Sequence, residues 1–177
     1  MSGFTYNDGG RKAAGYKGHA GDCVARAIAI AANLPYAEVY DTLAKGMGTQ
    51  RVTKRTGKRS ASARDGVTVK RKWFKDYMAT LGFRWVPTMA IGTGCTVHLT
   101  AQELPTGRLV VSVSKHYTAM IDGVINDTHD PRREVHCSEA YRDPIPKGYW
   151  THDNKLMHHI ERRCVYGYWI IQQEKVT

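Results

Sequence analysis

The chain has 177 residues, 42% of them hydrophobic. That is enough for a sizeable core in one domain and excludes wholesale disorder. It carries 26 Lys and Arg against 16 Asp and Glu, a formal charge of +10 with a pI near 9.6, which favours a polyanionic partner or substrate. The longest apolar run, Val24 to Leu34, is interrupted by Arg26 and Asn33, so no membrane span is expected. Residues 1–21 hold no apolar stretch of the kind a secretory signal needs, which predicts a cytoplasmic chain. The four cysteines, Cys23, Cys95, Cys137 and Cys164, form no Cys-x-x-Cys pair. They predict free thiols in a reducing compartment rather than a disulfide framework or a cysteine-built zinc site.

In chain order, residues 1–21 are glycine-rich and read as an irregular lead-in. Asp22 stands where an N-cap belongs, ahead of an alanine-rich helix over Cys23 to Ala32 with Val24, Ala27, Ile28 and Ala31 as its apolar stripe. A second helix starts at Pro35 and buries Tyr36, Val39, Tyr40 and Leu43. Residues 45–66 are basic, small and aperiodic, and predict a long flexible loop. A third helix carries Trp73, Phe74, Tyr77, Met78 and Leu81 on one face and stops at Gly82, before a short strand over 83–86. Thr100 to Glu103 forms a capping box that opens one helical turn, closed by Pro105. β-branched runs follow at 108–114, 117–121 and 124–127, with Asp122-Gly123 as a two-residue hairpin turn. Residues 128–160 are turn-rich and weakly patterned, and 165–171 form a last strand. Helices early and strands late predict an α+β fold, a cysteine-bearing helix packed on an antiparallel sheet.

Three residues carry candidate chemistry. Cys23 falls at a helix start, where free N–H groups and the helix dipole stabilise a thiolate and could hold an oxyanion. With Asp122-Gly123 at the turn, Ile121 faces Val124, so His116, Thr118, Asp127 and His129 share one face of the hairpin. Asp127 is then a diagonal neighbour of His116, with about 7 Å or less between the two backbones. A base oriented by a carboxylate near a helix-start thiol is the logic of an activated nucleophile.

The segment Lys17-Gly18-His19-Ala20-Gly21-Asp22-Cys23 resembles the nucleophile segment of papain-like cysteine peptidases, Gln-Gly-x-x-Gly-Ser-Cys followed by a helix. Gly18, Gly21 and Cys23 match in register. His116 ahead of an alternating apolar strand resembles the family's histidine strand, and Asp127 stands where the family brings an Asn or Asp. The compact form also resembles small papain-like proteins of bacteriophage genomes. The resemblance implies a papain-like fold and a thiol hydrolase or acyltransferase, with host cytoplasm as its location if phage-encoded. Cys23 would be nucleophile, His116 the base and then the acid, and Asp127 the orienting group. Lys17 replaces the family's oxyanion-hole Gln, and its ammonium can still donate. NlpC-type cell-wall endopeptidases share Asp22-Cys23, but Val24-Ala25 stands where they carry Ser-Gly.

Between Lys45 and Lys75 lie 11 of the 26 basic residues against one acid, Asp65. Lys54, Arg55, Lys58 and Arg59 are the candidates there for contact with substrate or a polyanion. No groove-reading motif appears, so nucleic-acid contact would be non-specific. His129, His136, Cys137, His152, His158 and His159 lack metal-ligand spacing, so neither metal nor cofactor is expected. Three readings follow. One is a thiol hydrolase acting on a protein or peptide. Another is a binding protein of the same fold whose basic stretch holds a nucleotide, nucleic acid or acidic partner. The third is a nucleotide-directed enzyme using Cys23 on a phosphorylated substrate.

Overall fold

The computed structural model describes residues 3–49, 62–135, 159–161 and 163–171, with 133–135 and 159–161 as backbone alone. Three helices, α1 (Cys23–Ala32), α2 (Tyr36–Gly48) and α3 (Lys72–Thr80), pack on a six-stranded sheet. Its strands are β1 (Phe4–Tyr6), β2 (Phe83–Pro87), β3 (Arg108–Val113), β4 (His116–Ile121), β5 (Val124–Asp127) and β8 (Val165–Ile171). They lie in the order β1-β5-β4-β3-β8-β2. A separate antiparallel pair joins β6 (Arg133–Val135) to β7 (His159–Glu161).

The α+β expectation is met, but the sheet is mixed rather than antiparallel. β1 lies parallel to β5, pairing Phe4 with Ile125 and Tyr6 with Asp127. Three β-forming residues make this strand inside the segment expected to be irregular. They are too few for an alternation signal, and the glycines around them hide it. The β6–β7 pair was likewise invisible, because three-residue strands show no period. The basic stretch also begins later than expected, since α2 runs on to Gly48.

α1 is not amphipathic in place: every residue from Val24 to Ala31 is buried. It is the central helix, with β4, β3 and β5 on one side and α2 on the other. Its C-terminal carbonyls are closed from the sheet by Arg108, whose Nε and Nη2 donate to Ala31 and Ile30 oxygens at 2.6 Å. A cation at that end also meets the negative pole of the helix dipole. The opposite face of the sheet is apolar too. Leu109, Val111, Met120 and Ile125 lie there under Leu99 and Leu104. The segment between them makes the single turn expected, with Leu104 N–H donating to Thr100 O at 3.1 Å, but no capping box forms. Glu103 accepts instead from the His98 backbone at 2.8 Å.

Cys95 and Cys164 are disulfide-bonded, which corrects the expectation of free thiols. The 97–99 segment lies along the start of β8, held by Leu99 N–H to Arg163 O at 2.8 Å and Val165 N–H to Val97 O at 2.9 Å. That puts the two Cα atoms 5.8 Å apart, within bridging range. Among the described residues only Cys23 is a free thiol, and no helix is long and apolar enough to cross a membrane.

Candidate active site

The site begins with the start of α1. Asp22 is its N-cap residue, yet its carboxylate caps nothing. It is 1% exposed and accepts instead from three side chains: Arg11 Nε at 2.7 Å, Tyr36 Oη at 2.5 Å and Arg26 Nη1. Arg26 interrupts an otherwise apolar helix and is 8% exposed, so it needs a partner, and Asp22 lies one turn back. Arg11 also donates through Nη1 and Nη2 to the carbonyls of Tyr16 and Lys17 at 3.3 and 3.2 Å. Asp22 and Arg11 thus fasten the 16–17 segment to the helix that carries Cys23. Sequence reading missed this role. The signal was the lone Arg26 in an apolar run, four residues after an acid.

The hairpin turn forms as read, with positive φ at both Asp122 and Gly123 and Ile121 facing Val124. His116 is the first residue of β4, at the end of the sheet where α1 also starts. Its Nε2 lies 2.7 Å from Asp127 Oδ2, and it faces the same cavity as Cys23, close enough for each group to shift the other's titration. Since Nε2 is taken by Asp127, Nδ1 is the ring nitrogen left for the thiol. Asp127 is 3% exposed, and its Oδ1 accepts from Thr128 N–H at 2.7 Å.

The electrostatics follow from this placement. Burial works against a charged Cys23, but it is outweighed by the His116 hydrogen bond and charge, the Tyr117 backbone and Arg26, so the thiol titrates below its ordinary value. Burial also works against imidazolium, and Asp127 and Cys23 overcome it, pushing His116 up to about 9. Asp127 sits below the ordinary carboxylate value; burial is again overcome, here by His116 and the Thr128 backbone. The shifts of Cys23 and His116 both run toward a thiolate and imidazolium pair, with the Asp127 carboxylate beside the ring.

No protein-family model, curated protein or solved structure matches the chain.

A cavity of about 650 Å³ opens over the pair, and Lys17 lines it as an exposed side chain. The structure therefore brings Cys23, His116, Asp127 and Lys17 to one place. Lys54, Arg55, Lys58 and Arg59 lie outside the described residues. The end of their segment is visible: Arg64 Nη2 donates to the His19 carbonyl at 3.0 Å, beside the cavity. His129 stacks on His116 with ring centroids 4.9 Å apart. With Asp127, these histidines offer ligand atoms within 4.8 Å of one another. The Nε2 of His116 is already engaged by Asp127.

Proposed function

We propose that the chain is a thiol hydrolase or acyltransferase of papain-like type. The observation that carries this reading is the His116 ring, hydrogen-bonded to Asp127 at 2.7 Å and lining one cavity with the Cys23 thiol at the start of α1. Cys23 attacks the carbonyl carbon of an amide or ester. The resulting oxyanion is met by the N–H groups at the start of α1 and by Lys17. His116 gives its proton to the leaving amine or alkoxide, leaving a thioester on Cys23. Water, or another acceptor, then attacks the thioester as His116 takes its proton. Collapse expels the Cys23 thiolate and releases the acid or the transferred acyl group. Asp127 holds the ring and the imidazolium throughout.

The test uses p-nitrophenyl acetate, a simple acyl donor, at pH 7. Acetylation of Cys23, read by mass spectrometry with a burst of nitrophenol, is expected to be at least tenfold faster than in the unfolded chain. It should be lost in His116→Ala and in Cys23→Ala, with both variants folded by circular dichroism. Acetylation of the folded chain no faster than of the unfolded one overturns the reading.

A further inference from the structure

The lining of the Cys23 cavity is one-sided in charge. Lys12, Lys17 and Lys115 all line it and are exposed. None of the three is in an ion pair with a described residue. Behind them Arg11 and Arg26, which also line the cavity, share the single carboxylate of Asp22, so one guanidinium charge there is uncompensated. The one acid in the lining is Asp8, and both its oxygens accept backbone N–H groups, from Gly10 and Lys12 at 2.9 Å. Lys115 stands in the β3–β4 turn, immediately before His116, at φ 55. Glycine would take that left-handed conformation without strain. The chain instead holds a cation there, at the rim of the site.

A cavity of this size takes a small acyl group with its immediate neighbours and not a nucleic-acid duplex. Low-dielectric walls carrying one sign of charge concentrate ligands of the other sign. We propose that the cavity takes an acyl substrate bearing an anionic group, carboxylate or phosphate, beside the scissile carbonyl, held by Lys12, Lys17 and Lys115. This rests on the assignment of Cys23 as nucleophile. It adds anion recognition at the site itself to that expected of Lys54, Arg55, Lys58 and Arg59, which lie outside the described residues.

Two alkylating probes of nearly equal size test it on the full folded chain. Iodoacetate and iodoacetamide both lose iodide to the Cys23 thiolate as the sulfur–carbon bond forms, and they differ only in charge. The ratio of their rates at Cys23, read by mass spectrometry at pH 6 and low salt, should exceed the ratio in urea-unfolded chain by about tenfold or more. It should collapse toward the unfolded ratio in 1 M salt. Lys12→Gln/Lys115→Gln should cut the ratio severalfold. Lys70→Gln/Lys75→Gln, exposed and outside the cavity, should not, which separates the site from net charge. Peptides that slow iodoacetamide labelling identify the source of the charge. Protection by a glutamyl peptide assigns a carboxylate, protection by a phosphoserine peptide a phosphate, and equal protection by the glutaminyl analogue overturns the proposal. Fast iodoacetamide labelling with no charge preference, or equal losses in the two lysine pairs, also overturns it and leaves the nucleophile standing. Iodoacetamide labelling at pH 6 no faster than in the unfolded chain removes the nucleophile and the proposal together.

Discussion

At the scale of single residues, the Cys23–His116 pair decides where on the pH axis the site works. On the proposed mechanism, turnover needs thiolate and imidazolium together. Activity should therefore rise as Cys23 deprotonates, below the ordinary thiol range, and fall as His116 loses its proton near pH 9. Asp127 raises His116, so Asp127→Ala should move the alkaline limb to lower pH, and Asp127→Asn should do the same because the charge is gone in both. Rates at the optimum should separate the two. Asn can still accept from Nε2 and hold the ring, whereas Ala frees it, at a cost of about 100-fold if the ring moves by an ångström. Equal rates and an unmoved limb across wild type, Asn and Ala would show that Asp127 has no part in the site. Asp22 is a different case, since its charge is structural. Asp22→Ala leaves Arg26 buried and unpaired and should lower stability by about 3–5 kcal/mol in urea unfolding.

Among elements, the hairpin was the most legible. Asp122-Gly123 sets a register in which every later residue faces one known side, and His116 and Asp127 follow from counting. The start of α1 was half legible. Cys23 could be placed at its first turn, but Asp22 read as a cap because local sequence shows a carboxylate before a helix and not the Arg11 eleven residues away. Burial of α1 on all sides was hidden for a related reason: an alanine-rich helix has no contrasting polar face to reveal how many neighbours it has. The α2–α3 contact yields a further prediction. A Cβ at Gly46 would sit 2.4 Å from the Trp73 ring. Ala is the better helix former by about 1 kcal/mol, yet Gly46→Ala should destabilise by about 1–3 kcal/mol as the helices are pushed apart. A stabilised variant in thermal melts would contradict this packing.

For the molecule as a whole, what could not be read was whatever depends on partners far apart in sequence. The Cys95–Cys164 bridge spans 69 residues, and β1 meets a strand about 120 residues later; neither leaves a local period. The bridge ties the 95–99 cover to β8. Reduction, or Cys95→Ser/Cys164→Ser, should lower stability by about 2–4 kcal/mol, seen as a lower urea midpoint with the helices intact. An unchanged midpoint would mean that the bridge constrains nothing.

The parallel seam between β1 and β5 has a consequence for biosynthesis. β1 hands the chain directly to the cavity wall at Asp8 and Arg11, and its strand neighbour among the described residues is β5, which ends at Asp127. At about 5–20 residues per second, a ribosome spends roughly five to twenty seconds between translating Cys23 and Asp127. For most of that interval the chain has neither His116 nor Asp127, and for the last eleven residues it still lacks Asp127. On the proposed mechanism, the site is therefore incomplete on the nascent chain until the last residue of the hairpin has been made.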